Sequence, residues 1–264
     1  MSTPPATLTR GHTDEGADIA VLTFADGNLN LFGTTMLDTV ADAVSTLVAH
    51  PPRTLLIRAE GKTVSAGVDV QVFDALSVED GEAMWARLFD DIIHPVENLP
   101  CPTVFAAHAL TLTAAFEIAL ACDIILAAPE AKFGLVERVV GLTPSMGGPQ
   151  RLAERAGSGR ARELVMTGDL YSAQTLADWG VVNSLHDDVA EAAHSLAVRL
   201  GNGPTRAHAA TKQIIAAWRS GGVAHADSIT PATSGSLFAT SDLERAVQRF
   251  LTEGPRACSS FDGN

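Results

Sequence analysis

The chain has 264 residues, a size that suits one large α/β domain or one domain with a small appendage. Its formal net charge of −13 argues against nucleic acid or an anionic membrane as the main partner. Hydrophobic residues make up 46% and aromatic residues 5%, so a sizeable core has to be built mostly from Ala, Val, Leu and Ile. Cys101, Cys122 and Cys258 form no C-x-x-C pair, which suggests neither a zinc ribbon nor a disulfide framework. They read as buried or incidental thiols in a reducing cytosol. The N-terminus shows no basic segment followed by an apolar one, so no secretory signal is visible.

In chain order, residues 1–15 are polar and are expected to fray. Residues 19–24 read as a strand, and the turn formers of 25–30 follow. Leu37, Val40, Ala41, Val44, Leu47 and Val48 recur at helical spacing and predict a helix over 34–49, stopped by Pro51-Pro52. Residues 54–58 are a short apolar run, expected as a buried strand. A helix is predicted over 78–93, ending before Pro95. The apolar run 102–128 is long enough for a membrane span, but Pro102, His108, Glu117 and Asp123 interrupt it. It reads instead as strand, Ala-rich helix, strand, and this alternation points to the α/β class. Short helices are predicted at 147–157, 159–167 and 173–179, and a last strand at 181–185. Helical patterns at 187–200, 205–219 and 241–251 make the C-terminal third mostly helical. No linker divides the chain. The expected organisation is an α/β core over 1–190 and a helical region over 191–264 that packs on the core or on a neighbouring subunit.

Two carboxylates stand out. Glu117 lies in a helix with almost no other polar residue. Burial would raise its pKa towards neutrality, as a general acid or base requires. The alternative is a Glu that pairs with an Arg or caps a backbone group. Glu137 follows after a strand and turns that can double back to the same cavity; its alternative is an exposed Glu paired with Arg138. The small-residue turn Val64-Ser65-Ala66-Gly67-Val68-Asp69-Val70 leaves backbone N–H groups free to meet a ligand oxygen, the raw material of an oxyanion hole.

Several segments, in order, resemble the enoyl-CoA hydratase/isomerase (crotonase) superfamily. Ser65-Ala66-Gly67-Val68-Asp69 is similar to its S/A-A-G-A/x-D loop. Phe116-Glu117-Ile118-Ala119-Leu120-Ala121-Cys122-Asp123 is similar to its C/F-E-L-A-L-A-C-D. Residues 131–137 resemble A-x-F-G-x-P-E, and residues 141–152 resemble G-x-x-P-x-x-G-G-x-x-R-L. Thr167-Gly168-Asp169 and the tail from Phe238 to Phe250 continue in register, so the match runs over roughly 18–250.

The resemblance implies a (ββα)-repeat core with a C-terminal helical trimerisation region. It implies an acyl-CoA substrate and a homotrimer or homohexamer, cytoplasmic, with no nucleic-acid or membrane partner. No metal or redox cofactor is implied, because CoA enters as part of the substrate. Residue by residue, the N–H groups of Val68 and Ala114 match the oxyanion donors, and Glu117 and Glu137 match the two catalytic carboxylates of hydratases. Ala66, Gly67, Val68, Asp69 and Val70 line the path of the thioester arm, and Lys62 is a candidate phosphate contact, with a solvated lysine as the equal alternative. The implied activity is water addition to a 2-enoyl-CoA. Isomerisation or another reaction through a thioester enolate, and an acyl-CoA-binding role without turnover, are the alternatives. The departures are Thr113-Ala114-Ala115 in place of three glycines, His108-Ala109 in place of Asn-Gly, and Val136 in place of Pro. If position 114 needs a positive φ, Ala114 is strained by about 1–2 kcal/mol.

Overall fold

The computed structural model describes residues 4–254 and 260–264. Cys258 lies outside the described residues, while Cys101 and Cys122 are buried free thiols. A six-stranded sheet forms the centre. Its strands are β1 (Ala6–His12), β2 (Asp18–Phe24), β3 (Thr54–Ala59), β4 (Thr103–Ala107), β6 (Ile124–Ala127) and β9 (Ser184–Leu185), in that spatial order. Only β1 runs antiparallel; every other neighbouring pair is parallel. A smaller sheet joins β5 (Thr111–Leu112), β7 (Lys132–Gly134) and β8 (Tyr171–Ser172).

The parallel strands are apolar on both faces because helices cover both faces. Leu55, Ile57, Phe105 and Ala107 point into the larger core with α1 (Thr34–Ala49) and α4 (Thr113–Ala121). Their neighbours Leu56, Val104 and Ala106 point the other way, onto Val189, Ala193 and Ala197 of α8 (Val189–Gly201). The expected boundary at residue 190 thus falls inside a helix that covers the central sheet. The C-terminal region is helical as predicted, with α8, α9 (Thr205–Gly235) and α10 (Ser241–Glu253). No helix among the described residues is long and apolar enough to cross a membrane.

Four local expectations change. The segment 6–12 is not frayed but forms β1, in register with β2 from Ala6 opposite Phe24 to His12 opposite Asp18. It is an edge strand, so it needs few apolar residues and leaves no clear pattern. The helix of 78–93 does not stop before Pro95. After α2 (Val78–Leu88) a wide π turn at Phe89–Ile93 leads into α3 (His94–Asn98), and Pro95 falls in the first turn of α3. The strand of 181–185 shortens to Ser184–Leu185, because the Val181 and Val182 N–H groups turn back to Leu176 O. Helix α9 runs past residue 219, through a kink at Gly222 where φ is +72°.

Candidate active site

The site forms where the loop after β3 meets the N-terminus of α4. Ser65 Oγ donates to Asn30 O (2.7 Å) and accepts from Gly67 N (3.0 Å), which pins the loop. Gly67 adopts φ +113°, a value closed to residues with a side chain. Around that turn Phe32 N donates to Gly67 O and Asp69 N donates to Phe32 O, so the Val68 N–H between them engages no acceptor among the described residues. Opposite, α4 begins without a side-chain cap, and the first N–H groups of a helix have no partner within it.

Glu117 is 2% exposed, one turn into α4, a helix whose nine residues are all buried. Its Oε1 accepts from Met146 N (2.9 Å) and from Gly148 N (2.8 Å), at the start of α5 (Gly148–Ala156). Burial pushes its pKa up to about 8, helped by the neighbouring charge of Glu137 and opposed by those two N–H bonds. Glu137 opens a short 3-10 turn, Glu137–Val140. Burial lifts its pKa to about 7, and its Oε2 is buried without a hydrogen-bond partner. Arg138 does not neutralise it: that guanidinium donates to Thr167 O at 2.6 Å.

Both glutamates line one cavity of about 230 Å³. Ala66, Gly67, Val68 and Val70 form one wall, while Phe73, Trp85, Val136, Val139, Leu142 and Met146 make the rest largely apolar. Two residues matched by resemblance are not among those that line this cavity. Asp69 is not on the wall; its Oδ1 accepts from Gln71 N (3.0 Å) and caps a 3-10 turn. Ala114 is wholly buried and not on the wall either. Its φ is not positive, so the strain considered for position 114 is absent there. The positive φ falls instead on Thr113, at +47°. Thr113 lines the cavity, and its Oγ1 is buried without a partner. An unsatisfied buried hydroxyl costs about 1–3 kcal/mol and a left-handed β-branched residue costs a similar amount. No sequence pattern separates Thr113 from an ordinary core threonine; its place among three expected glycines was the one available signal.

His108 makes a bond between Nε2 and Gly61 O (3.1 Å) and does not reach the cavity; Lys62 is exposed on the turn before the loop. A larger groove of about 440 Å³, between α4, α5 and α9, holds neither glutamate. Its charges are already matched, Glu97 with Arg219 and Asp123 with Lys212, so it offers no reactive group. Among the described residues no three His, Cys, Asp or Glu side chains converge as metal ligands would.

The profile of the enoyl-CoA hydratase/isomerase family matches residues 14–257. A Bacillus subtilis (strain 168) protein named "Probable enoyl-CoA hydratase" is 27% identical over 237 residues, 88% of this chain and 92% of that one. The crotonyl-CoA hydratase of Syntrophomonas wolfei is 32% identical over 148 residues, 55% of this chain and 56% of that one. The solved enoyl-CoA hydratase of Bacillus anthracis is similar in fold, with a TM-score of 0.86, 22% identity and coverage of 97% of this chain and 99% of that one.

Proposed function

The chain belongs to the enoyl-CoA hydratase/isomerase family, and from that premise we propose that it adds water across the double bond of a 2-enoyl-CoA thioester. The observation that carries this reading is the pair of desolvated glutamates, Glu117 and Glu137, lining one cavity with the free Val68 N–H. The names of the Bacillus and Syntrophomonas relatives support it.

Addition of water to C3 moves charge onto the thioester oxygen, which the Val68 N–H of the loop stabilises together with a second donor from the start of α4. Glu117, held by two N–H bonds, takes the proton from water, and Glu137 gives a proton to C2. With carboxyls near pH 8 and pH 7, the pair holds about one proton between those values, which is what a reaction that takes one proton and gives another requires. Hydration uses the state with Glu117 ionised and Glu137 protonated, and the reverse reaction, loss of water from a 3-hydroxyacyl thioester, uses the converse.

The apolar wall takes the acyl chain, and Lys62, exposed before the loop, is available to a CoA phosphate. The exposed apolar residues Val247, Phe250 and Leu251 on α10, with Phe238 before it, supply a surface for assembly into a homotrimer or homohexamer. The buried thiols of Cys101 and Cys122 suit a reducing cytosol.

The test is hydration of crotonyl-CoA by the purified protein, followed as loss of the conjugated enoyl-thioester absorbance, with longer 2-enoyl-CoAs alongside. Rapid loss that Glu117→Gln and Glu137→Gln each abolish supports the reading. Full rate in both variants, or acyl-CoA binding without any hydration by the wild type, refutes it.

A further inference from the structure

The Gly67 turn and the start of α4 approach so closely that a Cβ on Gly67 would stand 3.1 Å from Thr113 Oγ1 and 3.5 Å from Thr113 Cγ2. The next N–H along that turn is the free one of Val68. Thr113 and Val68 both line the cavity, whereas Ala114 is wholly buried and off its wall. We propose that the Thr113 hydroxyl is the second hydrogen-bond donor to the thioester oxygen, beside the Val68 N–H and in the place that the family resemblance gives to the Ala114 N–H. The proposal rests on the thioester-binding reading of the cavity.

Three features carry it. Thr113 is 5% exposed, and its Oγ1 has no partner in the ligand-free protein. Buried hydroxyls are rarely left so, and one beside a ligand cavity is free to bond what enters. The left-handed φ of +47° holds the side chain of the first α4 residue against the Gly67 turn, a conformation a β-branched residue adopts only when its surroundings impose it. Finally, a hydroxyl rotates about its C–O bond, and χ1 steps between staggered wells, so the donor can turn to a carbonyl oxygen without moving the backbone. A glycine at this position would have neither the donor nor the constraint.

The experiment pairs crotonyl-CoA kinetics with the infrared carbonyl band of bound hexanoyl-CoA carrying ¹³C at its thioester carbon. It compares the wild type with Thr113→Val, Thr113→Ser and Thr113→Gly. Thr113→Val keeps the shape and removes the donor. It is expected to lose part of the red shift of the carbonyl band and about 100–1000-fold in kcat, with hexanoyl-CoA affinity little changed. Thr113→Ser keeps the hydroxyl and is expected to retain the shift and most of kcat, which separates a lost donor from a damaged fold. Unchanged band and rate in Thr113→Val, or a larger shift and faster rate in Thr113→Gly, overturn the proposal and make Thr113 a filler of space. A wild type that binds hexanoyl-CoA with a red-shifted band lost in Thr113→Val, yet hydrates nothing, upholds the donor and sinks the hydratase reading. A wild type that does not bind hexanoyl-CoA sinks both.

Discussion

Replacing Glu117 by Gln should flatten the dependence of stability on pH. The Glu117 carboxyl has an ordinary value of 4.5 and a folded value of about 8, raised chiefly by burial. The folded state therefore holds a proton that the unfolded state releases between these limits. A carboxyl raised in this sense contributes stability that is fully present below pH 4.5 and is lost as pH rises through about 8. At about 1.4 kcal/mol per pH unit, the loss between pH 5 and pH 8 has a ceiling of about 4 kcal/mol. Relaxation and water entry around a buried charge trim such figures, so about 2 kcal/mol is expected, or about 4–8 °C in Tm for a chain of this size. Gln keeps an oxygen for the Met146 and Gly148 N–H groups and does not titrate. Thermal unfolding of wild type and Glu117→Gln, at equal protein concentration from pH 5 to pH 8.5, should show Tm values that diverge as pH rises, with the variant above. Parallel curves would mean that Glu117 ionises as a solvated carboxylate does, against the burial that raises its pKa.

The same pair should shape catalysis: crotonyl-CoA kcat/KM is expected to rise through about pH 7 and fall above about pH 8, as two macroscopic steps of one coupled pair. A profile flat from pH 6 to pH 9 would contradict that. Glu137→Gln should lower kcat by about 100-fold or more while leaving acyl-CoA binding in place, read by steady-state rates beside calorimetric affinity. A Cβ at Gly148 would stand 3.0 Å from both Glu117 Oε1 and Leu135 Cδ1. Gly148→Ala should therefore displace the carboxylate, lowering kcat at least about tenfold and stability by about 1–3 kcal/mol in a urea titration. Arg151, 6% exposed, holds Glu97 through bonds of 2.9 and 2.7 Å and helps keep that carboxyl below its usual pKa against the opposing effect of burial. Arg151→Met should cost about 3 kcal/mol, the low end for a broken buried pair because Arg219 still bonds Glu97. The deficit should shrink below pH 4.5, where Glu97 protonates in the unfolded chain and then in the folded one.

Elements with a clean period were legible in the sequence. Helix α1 and strands β3, β4 and β6 stand where hydrophobic spacing put them, because each buries a face or both faces in one core. Elements stabilised by neighbours rather than by their own pattern were not. β1 is a polar edge, β5, β7 and β8 have two or three residues each, and α3 continues past Pro95 through a π turn that no spacing announces. The site divides in the same way. Glu117 was visible because a lone carboxylate in an apolar helix has few innocent explanations; one of these, bonding to backbone N–H groups, turns out to hold for Oε1 alongside the raised pKa. Glu137 stood out by its place in the family resemblance, with an exposed Glu paired with Arg138 as the alternative; the 3-10 turn that seats it reveals its desolvation.

The unfavourable local features of the chain gather at one place. Thr113 has both a left-handed backbone and an orphaned hydroxyl, Glu137 an orphaned oxygen, and Glu117 a carboxyl that burial keeps protonated near neutral pH. Elsewhere the partly buried charges are matched: Glu97 with Arg151 and Arg219, Asp123 with Lys212, Asp242 with Arg245. A chain that matches these charges in the scaffold but leaves two polar atoms, Thr113 Oγ1 and Glu137 Oε2, unsatisfied around a single cavity is not packed carelessly there. Each of those groups becomes satisfied when a carbonyl oxygen and a water enter, so the instability of the empty site is part of the affinity of the filled one. This ties the stability argument to the catalytic one. Ligand binding should raise Tm more at pH 8 than at pH 5, because at pH 8 the ligand-free protein bears the cost of an ionised Glu117 that a bound water relieves.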